Sequence, residues 1–259
     1  MLSSLYTMPS IGKLIRVSPW RRIGLLCVGV FGLYWSASAF YETRRSEPLH
    51  VIADRMLRGR DYEREALAPL IAYLDRSQKD GCSLASSDIA VIRLHAAAVA
   101  QEGKAEDAST LLERARQSTL GALACSPHDP YLWYALFWVT RTQGAQAEKL
   151  LPPLAMSYEL APHEGWINQF RAADAWHLFP AMPEALREKV RRELRNLVRD
   201  SPRAAAAALR DSDENARKAM LSTLEEVPLK DRETLAKELD RRDVTIDIPG
   251  VDYNKWYRR

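Results

Sequence analysis

From residue 49 onward apolar side chains recur every three or four positions, and alternating runs are nearly absent. That period lays one apolar stripe along a helix rather than one face of a strand. It predicts helices near 49–58, 61–77, 86–101, 104–122, 129–142, 145–160, 163–178, 183–199, 202–210, 213–226 and 230–242, joined by short connections. Gly59, Gly81, Gly103 and Gly144 fall between periodic runs as stop signals. Pro130, Pro183 and Pro202 sit where a first helical turn tolerates a missing N–H, and Asp213 is placed to cap a helix. The fold class expected is all-α.

One stretch has no such period. Ile23 to Tyr41 is a run of 19 residues without a charge, bounded by Arg21-Arg22 on one side and by Glu42 with Arg44-Arg45 on the other. About 20 apolar residues in a helix cross the hydrocarbon core of a bilayer. Tyr34, Trp35, Phe40 and Tyr41 gather at one end, where amphipathic rings favour the interface. Residues 1–22 hold Lys13, Arg16, Arg21 and Arg22 and no acid. This basic flank places residues 1–22 in the cytoplasm, a transmembrane helix at 23–41, a linker at 42–48 and the body outside. Ala37-Ser38-Ala39 has the small-x-small form of a signal-peptidase site, so a cleaved, exported body is the alternative.

Charge narrows the partners. The chain carries 37 basic and 34 acidic residues, and removing the four N-terminal cations leaves 33 against 34. The body therefore lacks the basic excess that phosphate-backbone binding needs, and nucleic acid is not an expected partner.

A faint repeat runs through the helical region. Pro127-His128-Asp129 recurs as Pro162-His163-Glu164, and each is followed by a tryptophan, Trp133 or Trp166. The best unit spans about 89–122, with Ala96, Gly103, Ala108, Leu112 and Ala115 at small or apolar positions where two helices approach closely. The next starts at Pro130 with Trp133, Leu136 and Gly144 and ends at Tyr158-Glu159-Leu160-Ala161-Pro162. There Pro152-Pro153 is expected to break the second helix or restart it a turn late. A third, weaker unit lies at 49–77 with Gly59, Tyr62 and Ala66. A period near 34 residues built from helix-turn-helix units resembles the tetratricopeptide repeat family. The resemblance implies a solenoid of two to three degenerate antiparallel hairpins over 49–200, capped by the helices of 201–242 and followed by an extended tail at 243–259. An irregular helical bundle is the alternative.

In such a hairpin Cys82 precedes the first helix and Cys125 follows the second. A disulfide between them would close a loop of about 44 residues, worth about 4 kcal/mol on the chain-entropy model. The alternative is two separate small core residues. Cys27 lies in the apolar run.

Binding surfaces and chemistry come last. Residues 183–199 carry an apolar stripe of Leu186, Val190, Leu194, Leu197 and Val198, with Arg187, Arg191 and Arg195 beside it. Those arginines are either an anionic contact or a solvated face paired with Glu184, Glu188 and Glu193. Tyr131, Tyr134, Trp138 and Trp166 belong to an aromatic cluster that is mostly inter-repeat core, with one or two rings left for a partner. Val244, Ile246 and Ile248 alternate ahead of Pro249-Gly250, a strand-like hook or a tail packed on its own helices. No nucleophile elbow, zinc motif or phosphate loop is present, so no catalytic, cofactor or metal residues are assigned. His128-Asp129 and His163-Glu164 read as helix starts.

The layout, one N-terminal anchor ahead of exported helical repeats, resembles accessory subunits of bacterial envelope machines. It implies a non-enzymatic scaffold in the inner (plasma) membrane with its body in the periplasm. The scaffold would bind a protein partner in an envelope complex, with polysaccharide assembly or export as the favoured pathway. A soluble glycan- or ligand-binding protein and a helical hydrolase using His128 or His163 are the alternatives.

Overall fold

The computed structural model describes residues 19–77, 81–162 and 165–253. Eleven α-helices and one 3-10 turn, and no strand, are found among the described residues. They are α1 (Pro19–Leu57), α2 (Arg64–Ser77), α3 (Ser86–Glu102), α4 (Ala108–Cys125), α5 (Pro130–Thr142) and α6 (Ala147–Leu160), then α7 (Gly165–Trp176), α8 (Glu184–Asp200), α9 (Pro202–Asp211), α10 (Glu214–Leu224) and α11 (Leu229–Asp240). The 3-10 turn is Phe179–Ala181.

The chain divides into two units, Met1–Pro48 and Leu49–Arg259. In the first, the helix from Ile23 is long and apolar enough to cross a membrane, and none of its apolar window is buried by protein. Residues 42–48, expected as a linker, are helical, and so is the predicted 49–58 segment; both belong to α1, with Pro48 inside it. The physical reason is that 42–48 contains good helix formers and no glycine ahead of its single proline. In the second unit Ala53 and Met56 are buried, as are Leu67, Ile71 and Leu74 of α2.

The pair α3–α4 is antiparallel, because Cys82, ahead of α3, is bonded to Cys125 at the end of α4 with Cα atoms 5.5 Å apart. Small side chains let the two backbones approach: Ala90, Ala97, Ala115 and Ala122 are all at most 1% exposed. Next-neighbour helices also touch. α3 packs on α5, α5 on α7, α7 on α9 and α9 on α11, while α6 packs on α8 and α8 on α10.

Helix ends follow local chemistry. Asp129 accepts hydrogen bonds from the Tyr131 (2.9 Å) and Leu132 (3.3 Å) amides, with Pro130 in the first helical position of α5. At the other end of α5, Gly144 takes φ +80° and donates to the Arg141 carbonyl while Ala145 N–H reaches Thr140 O. α3 ends the same way, but not where its glycine suggested. Gly103 is helical (φ −75°) and Lys104 takes the left-handed position at φ 49°. A side chain there costs about 1–2 kcal/mol. Lys104→Gly should therefore raise stability by about 0.5–1 kcal/mol, once the greater freedom of glycine in the unfolded chain is counted. An unchanged or lower urea midpoint would contradict this.

One further expectation is corrected, and the tail follows the packed alternative. Pro152 and Pro153 lie inside a continuous α6. They are the sixth and seventh residues of the helix, and their missing N–H groups cost it only the bonds that the Glu148 and Lys149 carbonyls would accept. The tail is neither a strand nor a free hook as far as Tyr253. Ile248 is buried, the Tyr253 hydroxyl accepts from Ile248 N–H (2.9 Å) and donates to Ile246 O (3.0 Å), and Arg232 of α11 donates to Pro249 O. Trp256 and Tyr257 lie outside the described residues.

Candidate functional site

The aromatic residues of α5 meet those of α7. Trp166 stacks on Tyr131 with ring centres 5.8 Å apart, and Phe170 stands edge-on to Tyr131 at 5.8 Å. The Tyr134 hydroxyl is 2.9 Å from both the Asp174 carboxylate and the Phe170 carbonyl, and Arg141 pairs with Asp174. Burial, reinforced by Asp129 for Tyr131 and by Asp174 for Tyr134, pushes both phenols up, so both stay neutral. Tyr131 and Tyr134, candidates for a partner surface in a cluster expected to be mostly core, are buried. The reason is tertiary: α7 covers the face of α5 that a lone hairpin would leave open. Trp138 is half-buried against the core, and of the four expected rings only Trp166, 43% exposed, stays open to solvent.

The arginines of α8 are matched by acids. Arg191 bonds Glu184 at 2.7 Å; Arg195 bonds Glu188 and Glu226, each at 2.7 Å. Arg187 donates to the carbonyls of Phe179 (3.1 Å) and Pro180 (2.7 Å) and lies 3.5 Å from Glu184. These guanidiniums hold the Glu184 and Glu188 carboxyls below the usual range, Arg191 acting mainly on the first and Arg195 on the second. Three cations facing three carboxylates leave no net charge for an anionic partner.

Glu193, expected on that solvated face, is instead buried. Its carboxylate accepts from Arg171 Nε (2.7 Å) and from the Tyr158 hydroxyl (2.8 Å). Arg171, fully buried, also donates to Ser157 O (2.9 Å) and Ala161 O (2.7 Å), and its guanidinium lies 3.9 Å from the centre of the Tyr158 ring. Burial pushes the Glu193 carboxyl up, and Arg171 and Tyr158 oppose this. One signal for this cluster was present in the sequence. Glu193 stands three residues after Val190 and four before Leu197, on the apolar stripe itself, and Arg171 stands four residues from both Ile167 and Ala175.

The described histidines lie apart from one another, each with its own surroundings. His50 Nδ1 lies 3.2 Å from Asp88, and His177 Nδ1 lies 2.6 Å from Asp213, which also caps α10 through Ala216 N–H. His95 stands edge-on to Tyr62, and burial lowers its pKa. His128 is exposed, and His163-Glu164 lies outside the described residues. No group of three side chains able to hold a metal occurs among the described residues.

An exposed network ties α4 to the end of α5. Glu113 accepts from Arg116 (2.8 and 2.9 Å), Gln117 (3.1 Å) and Gln143 (3.1 Å). Chiefly through Arg116, its carboxyl is held at about 2, against an ordinary 4.5. A depressed carboxyl contributes stability above its unfolded pKa and loses it as pH falls through the folded one. Glu113→Gln should thus melt slightly below the parent at neutral pH, with the two melting curves converging near pH 2. A constant gap across that range would rule out this linkage.

No protein-family model, curated protein or solved structure matches the chain. What the molecule defines is a class: an all-α protein with one N-terminal helix long and apolar enough to cross a membrane.

Proposed function

We propose that this chain is a membrane-anchored helical-repeat scaffold of the bacterial envelope. Residues 23–41 cross the inner membrane once, the N-terminus is cytoplasmic, and the body binds a protein partner on the periplasmic side. By resemblance of layout, the pathway is polysaccharide assembly or export. The body is read as a degenerate tetratricopeptide-like array, not as an enzyme.

The observation that carries the repeat reading is the order of packing. α3–α4, α4–α5, α5–α6, α7–α8 and α8–α9 pack as neighbours, and α3–α5, α5–α7, α6–α8, α7–α9, α8–α10 and α9–α11 as next neighbours, much of the relation expected when each hairpin buries its face on the next. Beyond this order, α10 also packs on α7 and α11 on α8. The Cys82–Cys125 bond supports export, since disulfides persist in oxidising compartments.

Two measurements test the reading. Carbonate-washed membranes should retain the protein at the mass of the uncleaved chain; release of a form starting after Ala39 would replace the anchor with a signal peptide. Cross-linking in cells should then capture one envelope complex with both the anchored chain and an anchor-less exported form. Absence of any specific protein from both, at good yield, would sink the scaffold reading.

A further inference from the structure

The arginines that the sequence singles out are neutralised, but another set is not. A cleft of about 380 Å³ opens where α8 turns into α9, opposite α11, and Asp200, Ser201, Arg203, Lys237, Glu238 and Arg241 are among its walls. Glu238 is nearly buried, its side chain 11% exposed. Three guanidiniums share its carboxylate: Arg203 at 3.6 Å, Arg241 at 3.4 Å and Arg242 at 3.3 Å. The other acid, Asp200, is taken by Arg199 at 2.9 Å.

The charge count separates this cluster from the α8 ladder. Three arginines share the single Glu238 carboxylate, whereas the ladder sets three arginines against three carboxylates. The distances differ in the same sense. Charge-assisted bonds are usually 2.7–2.9 Å, and the ladder has several, while all three contacts at Glu238 are longer. Glu238 gathers the three arginines without saturating any of them. The Arg203 and Arg241 side chains are 79% and 70% exposed, so their remaining N–H donors are open to a ligand.

From this geometry we infer that the α8–α9/α11 cleft is a binding site for a phosphate-bearing anion. A phosphate group offers several oxygens to planar guanidinium forks and a negative charge opposite in sign to theirs. The volume is at the small end for ligand pockets, which suits a sugar phosphate, a pyrophosphate or a phospholipid headgroup rather than a polymer. Because the arginines are exposed, the affinity is salt-dependent. The inference does not rest on the scaffold reading.

The test uses the full chain in phosphatidylcholine nanodiscs, titrated by calorimetry at low salt. One arm adds inorganic pyrophosphate. The other adds dihexanoyl phosphatidylglycerol, with the choline analogue as control. Saturable binding is expected in at least one arm, and the arm that responds identifies the source as a soluble phosphate or a lipid headgroup. Arg203→Ala with Arg241→Ala should weaken it at least tenfold. Arg116→Ala with Arg210→Ala removes the same charge from arginines paired elsewhere, with Glu113 and Asp211, and should change affinity less than twofold. Circular dichroism confirms that both variants are folded; if the first is not, Arg203→Lys with Arg241→Lys replaces it and should still weaken binding at least threefold. No saturable binding in either arm, or equal weakening by the control pair, overturns the site.

Discussion

Arg171→Met should destabilise the body by about 3–5 kcal/mol, the cost of leaving a buried charge without its partner. The guanidinium is fully buried and bonds groups from two other helices: Ser157 O and Ala161 O at the end of α6, and Glu193 on α8. A cation at those last carbonyls also meets the negative end of the α6 dipole. Methionine fills much of the volume but donates nothing. The Glu193 carboxylate would keep only the Tyr158 hydroxyl. Glu193→Leu alone should cost a similar amount, because it leaves the guanidinium unpaired. The double variant should lose clearly less than the sum, since a buried ion pair exchanged for apolar side chains is often close to neutral. A double-mutant cycle by urea unfolding measures this. Additive losses would show that the pair is not a coupled unit.

Removing the Cys82–Cys125 bond should cost about 4 kcal/mol, from the closure entropy of the unfolded chain. The bond ties the two open ends of the α3–α4 hairpin. Cys82→Ser with Cys125→Ser should lower the urea midpoint, and a reductant should lower the parent to the same value while leaving the variant unmoved. A parent indifferent to reductant would show that the bond is not formed in the folded protein. If the loss is confirmed, expression in a reducing cytoplasm should give a markedly less stable body.

Helix existence was legible along almost the whole chain because a 3.6-residue apolar period is a local property. The expected helices match α2 to α11 to within a few residues, and Asp213 caps α10 as its position implied. The uncharged run of 23–41 was equally plain. Boundaries failed where two local signals competed. Glu42 to Pro48 joined α1 because its helix formers outweighed one proline, and the stop at Gly103 moved to Lys104 because a helix end is set by carbonyls seeking partners.

The site was less legible, for a different reason. Which aromatic or charged side chain remains open depends on what covers it, and that is decided by helices distant in sequence. Tyr131 and Tyr134 looked available on α5 until α7 closed over them. Arg187, Arg191 and Arg195 stood out as a regular row, yet the same regularity places glutamates within reach of all three, with Glu226 added from the turn after α10. Arg241 and Arg242 stand three and four residues after Glu238, a local helical spacing. Arg203 joins them only because α9 packs against α11. By itself, then, the sequence determined an all-helical chain with one apolar N-terminal span, since helix periodicity and hydrophobic length are properties of contiguous residues. The tertiary structure decided which charges are spent on each other and which are left over, because Coulomb partners are chosen by proximity in space.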